Sequence, residues 1–278
     1  IRGSIIVVDY FSMPFGYSLD LNLTDLCNIN CRHCYMPKKP VSLTFEEVQQ
    51  IFSRIPKSLD TLVLSGGEPF MNYKVLYQTI ECARSIFPLA KIRITSNAKS
   101  FYSSDEEIIH ELNKLEKAGV NEIRLSCDQY HIDAGINVER LFAVGKIADS
   151  ISSNIKVSYL DVGKGRPIGE FKERKEGMIS KASCLNRPKN IFKPYLFMET
   201  SGELYVCAFR LTKSLGNLIH DEWTFIANNI EKQYDYLSGN VLSIVVKNTK
   251  DSALNYELYN KFGECHLCEQ YQKICKNS

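Results

Sequence analysis

The chain has 278 residues, 44% of them hydrophobic, enough to bury the core of one large domain or of a domain plus a small one. With 34 basic against 32 acidic residues and a formal charge of +2, it has no electrostatic footprint for nucleic acid or a membrane surface, and neither is expected as a partner. No apolar run approaches the ~18 residues needed to span a bilayer and no cleavable signal is recognisable, so a cytoplasmic location is expected.

Residues 17–23 (YSLDLNL) alternate apolar and polar side chains and predict a first, half-buried strand. That strand delivers the chain to Cys27-Asn28-Ile29-Asn30-Cys31-Arg32-His33-Cys34-Tyr35, a C-x3-C-x2-C loop. One tight loop can aim three sulfurs at a single centre, but a structural zinc or a fully ligated cluster takes four ligands, so one position stays open. Soft thiolates suit zinc, Cu(I) or an iron–sulfur cluster. The ten cysteines, grouped as they are, fit metal ligation in a reducing cell better than disulfides. On these residues alone, iron–sulfur, structural zinc and incidental cysteines all stay open.

After the loop, Thr44-x-x-Glu47 reads as a capping box opening a helix to about Arg54, with Val48, Ile51 and Phe52 on one face. A second strand, 59–65, runs into Gly66-Gly67-Glu68-Pro69, which is followed by a helix over about 75–87 and a strand at 92–96. A second capping box, Ser104-x-x-Glu107, starts a helix that ends at Gly119. A strand at 122–126, a helix over about 138–150 and a strand at 155–160 follow, with a sixth strand expected at 195–199. This alternation implies right-handed crossovers and a parallel sheet. Five such units in about 145 residues, with the sixth strand, fall short of the ~250 residues of a complete eight-fold barrel, in which chemistry sits at the C-terminal strand ends. The cysteine loop, Gly66-Gly67, Ser96-Asn97 and Ser126-Cys127-Asp128 all fall at such ends.

From about Phe171 the alternation stops and Cys184, Cys207, Cys265, Cys268 and Cys275 appear. Residues 195–200 and 203–207 read as a hairpin turning at Ser201-Gly202. Residues 1–170 are therefore expected to form the barrel-like part and 171–278 a small C-terminal region. Among isolated candidates, His131 suits acid–base work near neutral pH, although a loop histidine is also ordinary polar surface. Cys82 and Cys127 fit packing positions.

C-x3-C-x2-C followed by the aromatic Tyr35, with Gly66-Gly67-Glu68-Pro69 downstream, resembles the signature of the radical S-adenosylmethionine (SAM) enzymes. The resemblance implies a partial (β/α)6 TIM-like barrel, α/β in class. It also implies a [4Fe-4S] cluster on Cys27, Cys31 and Cys34, whose fourth iron binds the amino and carboxylate groups of SAM. Tyr35 belongs to that SAM-binding signature, and Gly66, Gly67, Glu68 and Pro69 would hold the amino group of SAM. Ser96, Ser126 and Asp128 would contact its ribose and methionyl carboxylate. Gly165-Arg166 resembles a Gly-Arg pair of members with C-terminal cluster domains, so Arg166 is expected to bind the SAM carboxylate as a planar fork.

The C-terminal cysteines, with Gly202-x4-Cys207 and Cys265-x2-Cys268, resemble the auxiliary-cluster domains called SPASM and, in shorter form, twitch. Five cysteines without the C-x3-C continuation favour twitch, with one auxiliary [4Fe-4S] cluster on Cys184, Cys207, Cys265 and Cys268 in a small hairpin and helix domain. Two spacings depart from the family's: Cys184 to Gly202 is longer than usual, and Cys268-x6-Cys275 is one residue longer. Four of these cysteines also suit structural zinc. Cys275 is left over, either replacing a ligand or serving as a hydrogen-atom donor.

The function implied is reductive cleavage of SAM to a 5′-deoxyadenosyl radical that abstracts a substrate hydrogen, fed by a flavodoxin- or ferredoxin-type reductant. The family's peptide-modifying members often carry a winged-helix module ahead of the barrel, for which there is no room before Cys27. The substrate expected is a peptide held by the barrel itself, for cross-linking, epimerisation or dehydrogenation. The alternatives are a small-molecule (aminoglycoside or sugar alcohol) dehydrogenase or epimerase and, in another class, a zinc-binding module without catalysis.

Overall fold

In the computed structural model, which describes residues 11–34, 36, 39–160, 193–206 and 213–238, the expected β/α alternation is present. Strand β1 (Tyr17–Thr24) leads to α1 (Phe45–Arg54), β2 (Leu59–Gly66), α2 (Tyr73–Ile86), β3 (Lys91–Ser96) and α3 (Asp105–Ala118). Then come β4 (Glu122–Ser126), the short α4 (Gln129–Asp133), α5 (Val138–Ser150) and β5 (Lys156–Leu160). Further along lie β6 (Tyr195–Met198), β7 (Glu203–Tyr205), β8 (Gly216–Asn217) and α6 (Trp223–Ser238).

The helix ends follow the cap chemistry with one difference. Thr44 and Glu47 form the reciprocal capping box at α1. At α3, Ser104 caps the Glu107 amide, but the Glu107 carboxylate takes the Ser103 hydroxyl instead of closing the box. Gly119 ends that helix at φ 95°, a conformation that favours glycine.

Period-2 alternation sorts the strands into two faces. Leu19, Leu21 and Leu23 of β1, Leu62 and Leu64 of β2, Ile92 and Ile94 of β3, and Ile123 and Leu125 of β4 are buried in one core with the apolar stripes of α1, α2, α3 and α5. Each such side chain contributes roughly 1.5–3 kcal/mol by leaving water. Cys82 and Cys127 pack against the same core. The intervening residues are polar except Val63: Asp20 and Asn22, Ser65, Arg93 and Thr95, Arg124, and Ser158 fall on the opposite face.

The sheet has eight strands in the order β5-β4-β3-β2-β1-β6-β7-β8. All neighbours from β5 to β6 are parallel, and β6-β7 and β7-β8 are antiparallel. The mainly parallel sheet with helices on its apolar face agrees with a partial TIM-like barrel. The sixth parallel strand pairs with β1, from Ser18↔Tyr195 to Leu21↔Met198. Among the described residues β5 and β6 share no pairing. The hairpin predicted at 195–207 is the β6–β7 pair, turning at Gly202 with φ 88°. No helix of the described residues is long and apolar enough to cross a membrane.

Candidate functional site

The cysteine loop is a closed excursion from the C-terminal end of β1. Its base is pinched by Asp25 N donating to Val41 O (2.9 Å), Leu43 N donating to Leu23 O (2.9 Å) and the Thr24–Ser42 hydroxyl contact (2.6 Å). Inside it, Cys34 N donates to Cys31 O at 3.2 Å, a turn that brings the second and third cysteines together. Cys31 is buried; Cys27 and Cys34 are exposed free thiols. Burial and the neighbouring charges of Glu68 and Cys34 push the Cys27 thiol up, so a metal there displaces a proton.

Gly66 and Gly67 press against the backbone of this loop. Gly67 N donates to Thr24 O (2.6 Å) and Glu68 N to Leu26 O (2.7 Å). A Cβ on Gly66 would lie 2.4 Å from Thr24 O, and one on Gly67 would lie 2.2 Å from Leu26 O. The glycine pair is thus required for a close approach between two strand ends, a reason independent of any ligand.

Glu68 is buried and points sideways. Its carboxylate accepts from Ser96 Oγ (2.7 Å), Asn97 N (2.8 Å) and Phe70 N (3.3 Å), joining the ends of β2 and β3. Burial raises its pKa to about 7 against the pull of these hydrogen bonds. Pro69 is buried at the start of the short turn that follows. Ser96 is likewise committed, donating to Glu68 and accepting from Ala98 N (2.8 Å). Its neighbour Asn97 reaches the loop instead, with Nδ2 at 2.9 Å from Asn28 Oδ1 and 3.9 Å from Cys27 Sγ.

At the end of β4, Ser126 and Asp128 are buried. Asp128 caps α4, its Oδ1 accepting from Tyr130 N (3.0 Å), His131 N (3.1 Å) and His131 Nδ1 (2.7 Å). Its Oδ2 faces His33 Nε2 at 3.5 Å. Burial alone would raise the Asp128 carboxyl, but the hydrogen bond and charge of His131 and the charge of His33 hold it below the usual range. Burial pushes the His33 imidazole down, against the pull of the Asp128 charge. The His33 ring lies 4.8 Å from that of Tyr130 and 4.9 Å from that of His131. The cysteine loop is therefore tied to all of β2, β3 and β4. Asp128→Ala is expected to cost about 1–2 kcal/mol in urea unfolding through the lost cap. Asp128→Asn, which keeps a capping side chain, should cost less than about 1 kcal/mol.

His33 and Asn28 are the site residues that sequence reading passed over, and Asn97, recognised at a strand end, was given no role. The histidine stood in view between two cysteines of the loop; Asn28 carried no pattern. The donor atoms of Cys31, His33 and His131 lie within 4.8 Å of one another, a second arrangement able to hold a metal. A cavity of about 210 Å³ opens beside the loop, between Asn22, Asp25, Met36 and Lys39 on one side and Glu199 and Thr200 on the other. Tyr35, Arg166, Cys184, Cys207, Cys265, Cys268 and Cys275 lie outside the described residues. The loop itself fits a cluster: three soft donors on one pinched turn, two of them exposed, at the mouth of a parallel sheet.

The Radical SAM superfamily matches residues 21–156. Molybdenum cofactor biosynthesis protein 1 of Dictyostelium discoideum is 28% identical over 165 residues, 56% of this chain and 25% of that protein. The putative peptide biosynthesis protein YydG of Bacillus subtilis (strain 168) is 28% identical over 126 residues, 42% of this chain and 37% of that protein. The chain thus spans well under half the length of these two curated relatives. Among solved structures, BtrN in complex with AdoMet and 2-DOIA superposes with a TM-score of 0.57 at 15% identity, covering 82% of this chain and 89% of that one, a likeness of fold.

Proposed function

We propose, from the match of residues 21–156 to the Radical SAM superfamily, that the chain uses a [4Fe-4S] cluster and SAM to modify a ribosomally made peptide. It is a radical SAM enzyme, and that family implies the cluster and SAM. The observation that carries the site is the convergence of the Cys27–Cys34 loop with the strand ends at Gly66–Pro69, Ser96–Asn97 and Ser126–Asp128.

Cys27, Cys31 and Cys34 would hold the cluster, and the strand ends beside them would receive SAM. When bound, the pair supplies reductive cleavage of SAM to a 5′-deoxyadenosyl radical. This chain's residues hold the loop in place: Gly66 and Gly67 from beneath, Asn97 through Asn28, and Asp128 through His33. The polar concave face of the sheet is the side on which a substrate carbon would be positioned and water excluded. We assign residues 1–170 to the barrel part and 171–278 to an auxiliary region, with a second cluster on Cys184, Cys207, Cys265 and Cys268 and Cys275 as ligand or hydrogen-atom donor. A flavodoxin- or ferredoxin-type reductant in a cytoplasmic setting completes this reading.

The name of YydG supports a peptide substrate; the second reading is a small-molecule dehydrogenase or epimerase, beside which stands the 2-DOIA bound to BtrN, a structure alike in fold. The grouping of Cys31, His33 and His131 supports a zinc module as a third. Anaerobic reconstitution with iron and sulfide separates them. The proposal expects about eight irons per chain with matching sulfide, and 5′-deoxyadenosine on reduction with SAM. Zinc alone with intact SAM would sink it, and a mass change in a short peptide encoded beside the enzyme would settle the substrate class.

A further inference from the structure

The concave face carries charge that the cysteine loop does not use. Strand register sets Asp20, Val63, Arg93, Glu122 and Lys156 side by side across five strands. Arg124 stands one step nearer the mouth, between Thr95 and Ser158. Glu122 is the hub. Its carboxylate lies 2.5 Å from Lys91 Nζ, 3.0 Å from Arg93 Nη2 and 3.7 Å from Arg124 Nη2, and it accepts from Ser158 Oγ at 2.9 Å.

Among the described residues, three cations surround this one carboxylate. Asp20, across the sheet, accepts from the Ser65 and Tyr195 hydroxyls; burial pushes its carboxyl up while the charges of Arg124 and Arg93 pull it down, so three cations face two carboxylates and one positive charge is in surplus among the described residues. Arg93 is mostly buried, and its Nε finds no acceptor among the described residues. Arg124 keeps about a third of its side chain accessible. A buried guanidinium N–H without an acceptor is costly, and surplus charge on a partly desolvated wall attracts an anion.

We propose that Arg93 and Arg124, positioned by Glu122, bind an oxyanion of the substrate, a carboxylate or a phosphate, inside the barrel. The inference deepens the reading of this face as the substrate side of a radical SAM enzyme and rests on it. Planar guanidinium groups suit such oxygens because two parallel N–H bonds fix orientation as well as charge. The position is distinct from the strand-end site. Arg124 lies two residues before Ser126, and Arg93 three before Ser96, about 7 and about 10 Å down the strands at ~3.3 Å per residue. The proposal therefore selects for acidic substrates: a peptide with an acidic side chain or a phosphorylated small molecule.

The test uses the reconstituted full chain and three probes: pentaglutamate, pentaglutamine and inorganic tripolyphosphate. Either pentaglutamate or tripolyphosphate should bind at least about tenfold more tightly than pentaglutamine, and which one does so identifies the source of the oxyanion. Arg124→Gln should erase that preference while leaving SAM affinity within about twofold. Arg124→Lys, which keeps the charge and is the safer variant for folding, should retain part of it. Equal binding of all three probes to the unaltered chain would overturn the proposal. So would a parallel loss of SAM affinity in Arg124→Gln, because the anion would then be SAM's own carboxylate. Failure of the radical SAM reading shows separately, as absence of SAM cleavage with no probe present.

Discussion

Cys34→Ala is expected to remove about four of the irons bound on reconstitution and to lower SAM cleavage by at least about 100-fold, more than changes behind a metal's ligands cost. The loop between its pinched ends at Asp25 and Ser42 contains three thiols and no fourth. Losing one leaves two, in a turn whose Cys31–Cys34 hydrogen bond runs through the backbone and survives the substitution. The protein should therefore stay folded and lose only its metal. Iron and sulfide analysis beside a urea unfolding curve separates that outcome from unfolding. Two comparisons sharpen it. Cys127→Ala, at a residue packed against the core, should keep the iron, and Cys207→Ala, in the proposed auxiliary set, should keep SAM cleavage. Equal loss of SAM cleavage in Cys34→Ala and Cys207→Ala would contradict the assignment of SAM to the first loop.

Gly67→Ala should be the most damaging single-methyl change near the site. Its Cβ would lie 2.2 Å from Leu26 O, 2.6 Å from Leu26 C and 2.7 Å from Asp25 O, all backbone atoms that no rotamer change can move aside. Relief requires separating β2's end from the segment that enters the cysteine loop, which breaks the Gly67–Thr24 and Glu68–Leu26 hydrogen bonds. We expect a loss of about 3 kcal/mol or more in urea unfolding, at or beyond the upper end of ordinary overpacking, together with poor iron loading because Cys27 follows the displaced segment directly. Gly145→Ala is the contrast. There the new methyl meets the hydroxyl end of the Tyr159 side chain, which can swing, and alanine favours the helix. It should cost less than about 1 kcal/mol. If Gly67→Ala behaved like Gly145→Ala, the close backbone approach would not be what holds the loop.

Local pattern made a large part of this protein readable. The alternation in YSLDLNL, the capping residues Thr44 and Ser104, and Gly119 at a helix end report burial and dihedral demands confined to a few residues, so β1, α1 and α3 appear within two residues of their expected bounds. The three cysteines and the Gly-Gly-Glu-Pro turn were legible as a site through their joint resemblance to the radical SAM signature; on the residues alone the thiols left zinc open and the glycines an ordinary turn. Tertiary structure decided the rest. The pairing of Tyr195–Met198 with β1 joins positions about 175 residues apart, and neither strand's own alternation says which edge the other will take. Likewise Glu68 turned out to bridge to Ser96 and Asn97, and Asp128 to cap α4 and face His33, because a buried polar group is satisfied by whatever donors the fold brings near. Composition named the donors and acceptors; only the packed sheet assigned the partners, and with them the charged wall formed by Arg93, Glu122 and Arg124.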